Sequence, residues 1–492
     1  MSVAMPLREL LLGEAELPGH FNPMIFGLSM DSRELHAGDA FVALAGETTH
    51  GLRFIRQAQD AGVAVTLVEA PLPEQMPLPD NAVLVDGLRN KLGRLADRFH
   101  GSPSQAMTIT GVTGTNGKTS TVQLIAQALT LAGHCTGTIG TLGAGLYGAH
   151  VAGERTTPDV IAVHRLLAEL RDAGATQVAM EVSSHALEQG RVDEVAFKVA
   201  VFTNLTRDHL DYHGSMDAYG KAKARLLHWP TLHCVVINVD DPFGRELLAG
   251  VDPAVQRITL SSRNQATATL RAVQPTLTPA GLCFELEESG ERYAIVSPLL
   301  GRFNIDNLLA VSGVLRALGW TLRDVVQMLP RLSPVDGRMS RVGGSAGQPL
   351  VVVDYAHTPD ALAQALQSLR EHTPGRLTCV FGCGGERDRG KRAQMAAVAE
   401  QFADRVMVTD DNPRGEDGDA IVADILSGFS TGYHAVVQRD RAAAITVAIN
   451  GAGDADVLLV AGKGHETYQE IAGVKHPFDD LAIARRALGE RA

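Results

Sequence analysis

The sequence predicts an α/β protein of three domains built on mostly parallel sheets. Short apolar runs alternate with Ala/Leu-rich helical patterns almost throughout, as expected when strands are layered with helices. A chain of 492 residues has room for about three domains. Most apolar runs give way to Gly, Asp or a helix signal, as in an open doubly wound sheet. Functional residues are therefore expected just past the carboxyl ends of the strands.

The first unit, 1–102, has strand-like runs at 40–44 and 63–69, a closing helix at 92–99, and a linker at 101–104. The second, 103–335, opens with an apolar run at 107–112. Further strands are expected at 177–182, 199–202 and 234–239. Its residues 262–297 alternate like an antiparallel patch, and a helix follows at 304–318. The third, 336–492, places buried strands at 350–353, 377–381, 406–408 and 457–460.

Composition narrows the function. Hydrophobic residues make up 45% and charged residues 20%, which describes a soluble globular chain. The net charge of −12 argues against a general binder of nucleic acid or membrane surface, which needs a basic footprint. An anionic substrate must then meet locally concentrated Arg, Lys or metal. The cysteines Cys135, Cys234, Cys283, Cys379 and Cys383 have no CxxC spacing, so they read as reduced thiols, not a zinc site or disulfide framework. No apolar run reaches the roughly 18–20 residues of a membrane span. The N-terminal stretch carries acids and lacks a signal core. A cytoplasmic location is expected.

Residues 111–120 follow a strand and open a helix: Gly111, Val112, Thr113, Gly114, Thr115, Asn116, Gly117, Lys118, Thr119, Ser120. The glycines let backbone N–H groups turn toward phosphate oxygens, and the helix N-terminus adds donors and a favourable dipole. Lys118 can neutralise β/γ charge and Thr119 can ligate Mg²⁺. Gly111 sits one residue further out than a strict Walker A loop requires. The loop says nucleotide; by itself it does not separate hydrolase, kinase and ligase.

Glu181 ends a strand-like run, within reach of a metal held by that loop. Asp208, His209, Asp211 and His213 crowd six residues after another strand. A lone histidine is more often a satisfied core or surface group; the cluster at a strand end points to a site. Lys221 and Lys223 follow on a helical stretch.

The strings at 111–120, 181–187 (EVSSHAL), 203–214 (TNLTRDHLDYHG) and 354–362 (DYAHTPDAL) resemble the Mur ligases, which build the peptidoglycan stem peptide. Folylpolyglutamate synthases are relatives in that superfamily. The resemblance covers nearly the whole chain. It implies a three-domain architecture with a central P-loop parallel sheet and a C-terminal Rossmann-like doubly wound domain. It implies ATP and Mg²⁺ as cofactors, with Thr119, Glu181, His209 and a carbamylated Lys223 as metal ligands. Lys118, Lys223 and His209 are then catalytic. Lys221 is the rival position, and alignment through 211–214 favours Lys223. A cationic amine would repel metal, whereas a carbamate offers an anionic oxygen.

By the same resemblance, Gly114–Ser120, Asn304, Asn307, Arg338, Asp354 and His357 hold the nucleotide. Asn304 and Asn307 share a helix face, where their amides could read a purine edge. Met30, Ser32, Glu47, Thr48 and Thr49 would take the UDP end of the acceptor. Thr156, Thr157, Ser183, Gln189 and Arg191 would take its muramoyl-peptide arm.

The segment 382–392 carries four Arg or Lys residues at a strand end. With 410–414 and 462–466 it should form one crevice. The run Asp411, Asn412, Pro413, Arg414 resembles the motif of the family's diaminopimelate-adding branch. Arg387, Gly462 and Glu466 complete the implied amino-acid pocket. A planar guanidinium can grip the second carboxylate that distinguishes diaminopimelate from lysine. The implied reaction adds meso-diaminopimelate to UDP-N-acetylmuramoyl-L-alanyl-D-glutamate through an acyl phosphate, with domain closure excluding water. The expected partners are these small molecules, with no nucleic acid and no membrane insertion, and the protein is expected to be a monomer. The alternatives are a lysine-adding or folylpolyglutamate-type ligase, and a non-catalytic P-loop protein.

Overall fold

The structure, a computed structural model, describes residues 4–46, 49–70, 72, 78–153, 155–335, 337, 339–344 and 347–489. The chain forms two compact units, 1–259 and 260–492.

The first unit contains two parallel sheets. The smaller pairs Leu28–Ser29, Ala40–Ala43, Val65–Ala70 and Ala82–Asp86 in that order. Alternate residues point to opposite faces. Val42, Val65, Leu67, Val83 and Val85 pack under the helix Leu88–Phe99, while Phe41, Ala43 and Val68 form a second core on the other face.

The larger sheet of this unit orders its strands Cys234–Asn238, Phe197–Phe202, Thr108–Thr113, Gln177–Glu181 and Thr136–Gly140 in parallel. Gly143–Leu146 is added antiparallel at the edge. Phe197–Phe202 and Cys234–Asn238 read as near-continuous apolar runs, as expected where both faces are covered. Thr108–Thr113 sits in the middle, and its carboxyl end leads into the helix Lys118–Leu131 through the phosphate loop.

The expected linker at 101–104 is not one. Pro103–Ala106 forms a 3₁₀ turn, and Pro103 and Ser104 are buried. The Ser104 hydroxyl accepts the backbone N–H of Ala196 at 3.0 Å. Gly, Ser and Pro signal a break in regular structure, and such a break can be packed inside.

The second unit opens with the expected antiparallel patch. Leu270–Thr278, Gly281–Glu288 and Glu291–Ser297 form a meander, followed by the helix Phe303–Ala317. Its other sheet orders Ser340–Gly343, Leu350–Asp354, Val457–Ala461, Leu377–Phe381, Arg405–Val408 and Val436–Val437. All pairs are parallel except the first. Val352, Leu377, Cys379, Val406 and Leu459 face one core with helices Pro359–Arg370, Gly390–Phe402 and Gly418–Leu426. Val351, Val380, Met407 and Leu458 face another with Arg441–Asn450 and Asp480–Gly489. Helices on both faces make this an open doubly wound sheet, so ligands are expected at the strand carboxyl ends.

Candidate active site

The phosphate loop is braced by the segment after the neighbouring strand. Thr115 N–H donates to the Asn204 carbonyl at 2.8 Å, Asn116 N–H to Asn204 Oδ1 at 2.9 Å, and Thr203 Oγ1 to the Asn116 carbonyl at 2.7 Å. Gly114 has φ 146°, and a Cβ there would collide with the Thr203 hydroxyl. Only glycine fits that turn. Gly117 caps the helix in the left-handed conformation, and Ser120 lies in its first turn.

Two lysines end on this loop. Lys118 Nζ donates to the carbonyls of Gly114 and Thr115 at 2.9 and 2.8 Å. Lys223 Nζ donates to the Gly114 carbonyl at 2.7 Å and is 1% exposed. Burial, reinforced by the Lys118 charge, pulls the Lys223 amine down to about 6. Lys221, by contrast, is an exposed partner of Asp217 at 2.7 Å. The structure therefore brings Lys223, not Lys221, to the loop.

Glu181 is buried between the loop and the neighbouring strand. Its Oε2 accepts Thr119 Oγ1 at 3.0 Å and Thr141 Oγ1 at 3.2 Å, and its Oε1 accepts the Thr141 N–H at 2.7 Å. The Thr119 hydroxyl and Glu181 carboxylate are hard oxygen donors at hydrogen-bond distance. That donor set fits Mg²⁺ better than a softer metal.

His209 is half-exposed, has φ 51°, and meets Asp208 at 3.4 Å. Its ring lies edge-on to His185, with centroids 4.9 Å apart, and 6.1 Å from Tyr219. Lys223 Nζ stands 4.4 Å from the centre of the same Tyr219 ring. The Tyr219 hydroxyl lies 3.2 Å from Thr115 Oγ1. Tyr219 thus links the histidine cluster, the lysine and the loop, a role absent from the sequence reading.

Of the residues expected to hold the acceptor, Met30 and Ser32 line one large cavity. The cavity, about 1100 Å³, is lined by Met30, Ser32, Arg33, Arg155, Asp159 and Arg165 among others. The three arginines share the lining with Asp31, Glu34, Asp159 and Glu169, and Arg33 pairs with Asp31 and Arg165 with Glu169. Ser32 Oγ donates to Gln57 Oε1 at 2.7 Å. Thr157 Oγ1 donates to the Glu181 carbonyl at 2.8 Å and accepts the Ser183 N–H at 3.2 Å. Thr156 lies 3.1 Å from Thr141, Oγ1 to Oγ1. Arg191 donates to Gln189 and to the Thr157 carbonyl, tying this arm together. Thr49 accepts the Gly46 N–H at 2.8 Å through its carbonyl. Glu47, Thr48 and Arg338 lie outside the described residues.

In the second unit, Asn304 and Asn307 are buried and partly spent. Asn304 Nδ2 donates to the Leu300 carbonyl at 2.6 Å, and Asn307 Nδ2 to Asn304 Oδ1 at 2.7 Å. The two amides brace the start of their helix before they could read a base. Asp354 accepts the N–H groups of Met339 and Ala356 at 2.8 and 2.9 Å, and His357 Nδ1 lies 2.8 Å from the Tyr355 carbonyl.

The segments 382–392, 410–414 and 462–466 meet at three strand ends: Gly385 N–H donates to the Asn412 carbonyl at 2.9 Å, and Lys463 Nζ to Asn412 Oδ1 at 2.9 Å. Arg414 has φ 52° and a mostly buried side chain. Its Nη1 donates to the Gly385 carbonyl at 2.8 Å, and its Nε lies 3.6 Å from Glu470 Oε2. The hairpin Tyr468–Ile471 and Val474–Pro477 straps its backbone: Arg414 N–H donates to the Glu470 carbonyl at 3.0 Å, and Ala472 N–H to the Arg414 carbonyl at 2.7 Å. Arg387 is exposed, and its stem lies near Gly384 beside the Arg414 guanidinium. Pro413 is buried. Burial pushes the Asp411 carboxyl up, against the pull of Arg441 and Lys463. A Cβ on Gly462 would come 2.8 Å from Asp411 Oδ2. Asn412 Nδ2 donates to Glu466 Oε2 at 2.9 Å.

Three family models match the chain: "Mur ligase family, catalytic domain" over 24–100, "Mur ligase middle domain" over 112–315, and "Mur ligase, glutamate ligase domain" over 337–464. The UDP-N-acetylmuramoyl-L-alanyl-D-glutamate–2,6-diaminopimelate ligase of Xanthomonas campestris pv. campestris is 61% identical over 488 residues, 99% of this chain and 98% of that protein. The chain belongs to the Mur ligase family. It is an ATP-dependent amide-bond ligase. The protein of the same name from Pseudomonas aeruginosa is 51% identical, over 94% of this chain and 95% of its own. A solved structure bearing that name matches this Mur ligase with a TM-score of 0.75 and 35% identity, covering 99% of both chains.

Sequence reasoning missed three features of this Mur ligase. Arg165 lines the large cavity, yet reads as an exposed helix position. Tyr219 carries no motif signal. Lys463 is fully buried beside Asp411, Asn412 and Glu466; its flanking glycines were the available clue. Among the described residues, no helix is long and apolar enough to cross a membrane.

Proposed function

We propose that this ligase joins meso-2,6-diaminopimelate to UDP-N-acetylmuramoyl-L-alanyl-D-glutamate in peptidoglycan precursor synthesis. The observation that carries the substrate assignment is Arg414, turned inward among three strand ends and held on the Gly385 carbonyl. The names of the full-length relatives support the same acceptor and amino acid. The reading includes three domains, 1–102, 103–335 and 336–492, in accord with the spans of the family models.

The acceptor carboxylate attacks the γ-phosphorus of ATP, and ADP leaves. Lys118 and the amides of Gly114–Ser120 offset charge on the phosphoryl oxygens. Asn304, Asn307, Arg338, Asp354 and His357 are assigned to the nucleotide on the family resemblance. The acyl phosphate is then attacked by the diaminopimelate amine, and phosphate leaves as the amide forms. Thr119, Glu181, His209 and Lys223 would hold Mg²⁺, which supplies further charge neutralisation when bound. Lys223 suits this role because burial lowers its amine to about 6, and the neutral amine can add CO₂ and release a proton to give an anionic carbamate. The acceptor's UDP end is assigned to Met30, Ser32 and 47–49, and its peptide arm to Thr156, Thr157, Ser183, Gln189 and Arg191. The amino acid is assigned to Arg387, Asp411, Asn412, Pro413, Arg414, Gly462 and Glu466. Cytoplasmic location follows from the substrates.

The test is phosphate release with ATP and Mg²⁺. Release should require both the UDP-dipeptide and diaminopimelate, and the product should gain the mass of one diaminopimelate residue. Release without the acceptor would contradict the reading.

A further inference from the structure

Lys463 lies in the turn after the strand Val457–Ala461, between Gly462 at φ 119° and Gly464 at φ 55°. Both glycines are tightly enclosed. A Cβ on Gly464 would come 2.7 Å from the Tyr355 Cβ. The turn therefore drives the lysine inward, and its side chain has no exposed area. Lysines are almost never fully buried unless paired.

Its partners are the residues assigned above to the amino acid. Nζ donates to Asn412 Oδ1 at 2.9 Å and to Glu466 Oε2 at 3.2 Å, and lies 3.8 Å from Asp411 Oδ1. The network fixes the orientation of the Asn412 amide. Its Oδ1 also accepts the Glu470 N–H at 2.9 Å, so its Nδ2 must face the Glu466 carboxylate. Lys463 thus holds both ends of the Asn412–Glu466 pair.

Two other cations with little exposed surface nearby already face acids. Arg441 forks Asp480 at 2.8 and 2.7 Å, both residues fully buried, and Arg414 faces Glu470. Asp411 and Glu466 are then two acids sharing one lysine. Among these least exposed groups one negative charge is left, which matches one substrate ammonium group. Without Lys463, two carboxyl groups would face each other and one would take up a proton at higher pH.

We propose that Lys463 is a positioning residue for the incoming amino acid: its buried ammonium orients Asn412 and Glu466 and leaves the pocket one negative charge to receive the substrate ammonium. The inference rests on the assignment of this crevice to the amino acid.

The experiment uses the full chain and measures initial rates against each substrate in turn, from pH 6 to 9. Wild-type ligation of diaminopimelate tests the underlying reading alone; if it fails, that reading fails. Given wild-type ligation, Lys463→Gln should raise the KM for diaminopimelate about 10-fold or more. The KM for ATP and for the UDP-dipeptide should hold, and kcat should change by less than about 3-fold. The acid limb of kcat/KM for diaminopimelate should move up by about one pH unit. Lys463→Arg keeps the cation and should keep the wild-type acid limb, while raising the diaminopimelate KM because the guanidinium cannot reproduce the ammonium's distances. Lys463→Gln with an unaltered diaminopimelate KM and pH profile would overturn the proposal. So would a parallel rise in all three KM values, which marks general damage. Should Lys463→Gln not fold, Lys463→Arg decides: a wild-type diaminopimelate KM overturns the proposal.

Discussion

In the phosphate loop, Lys118 and Lys223 both end on the carbonyl of Gly114; in the amino-acid pocket, Lys463 ends on an amide oxygen and a carboxylate. Both lysines thereby hold the backbone turn of the loop in place. The pocket sets one lysine against two acids, which leaves one negative charge, and Arg441 against Asp480. A site that receives phosphates gains from backbone N–H groups held in a fixed turn. A site that must tell one diamine from another gains from fixed geometry, because specificity comes from groups left unpaired by the wrong substrate.

Four experiments can break or sharpen this contrast. The largest effect should come from Lys118→Ala, with a loss of about a thousandfold or more in kcat. Its thermal stability should be nearly unchanged. Turnover within a few-fold of wild type would remove Lys118 from the reaction. Arg441→Met should act the other way, through stability. It strands the buried Asp480 carboxylate, and breaking a buried pair costs about 3–5 kcal/mol. Denaturant unfolding should reveal this directly, and an unchanged midpoint would mean the pair is not the anchor described.

Lys223→Ala should lose most activity and regain part of it with short-chain carboxylic acids that replace the carbamate oxygens. Normal activity without any acid would make Lys223 a packing residue only. The smallest effect concerns pH. The Lys223 amine is lowered from 10.5 to about 6. Between those values the unfolded chain binds the extra proton, so this group's contribution to stability rises with pH across that window and is least below about 6. Carbamylation needs the neutral amine. Added bicarbonate should therefore stimulate a CO₂-depleted enzyme at pH 7.5 and much less at pH 5.5, where the amine is protonated. Equal stimulation at both values would disconnect the lysine from CO₂.

The two regions also differed in how far the sequence revealed them. The phosphate loop was readable because its chemistry is contiguous: glycines, Lys118 and Thr119 lie within one strand–turn–helix. The strand runs at 377–381 and 457–460 were readable because buried parallel strands are continuous apolar runs. The amino-acid pocket was readable only as three separate segments. Lys463 and Asn412 are 51 positions apart, and Arg441 and Asp480 are 39 apart. No local pattern pairs them; the sheet order does. Glycine and proline misled at 101–104, because a break in helix or strand says nothing about burial. Asn304 and Asn307 were correctly placed on one helix face, yet much of their hydrogen bonding is already used within the helix start.

The central claim is that the Arg414 guanidinium selects the amino acid by its second carboxylate. The direct measurement is kcat/KM for diaminopimelate and for lysine, in wild type and in Arg414→Ala. The wild-type enzyme should prefer diaminopimelate by about 10⁴-fold, and the variant should lose most of that preference through diaminopimelate alone. A wild-type enzyme that uses lysine equally well, or a variant whose preference is intact, would contradict the account.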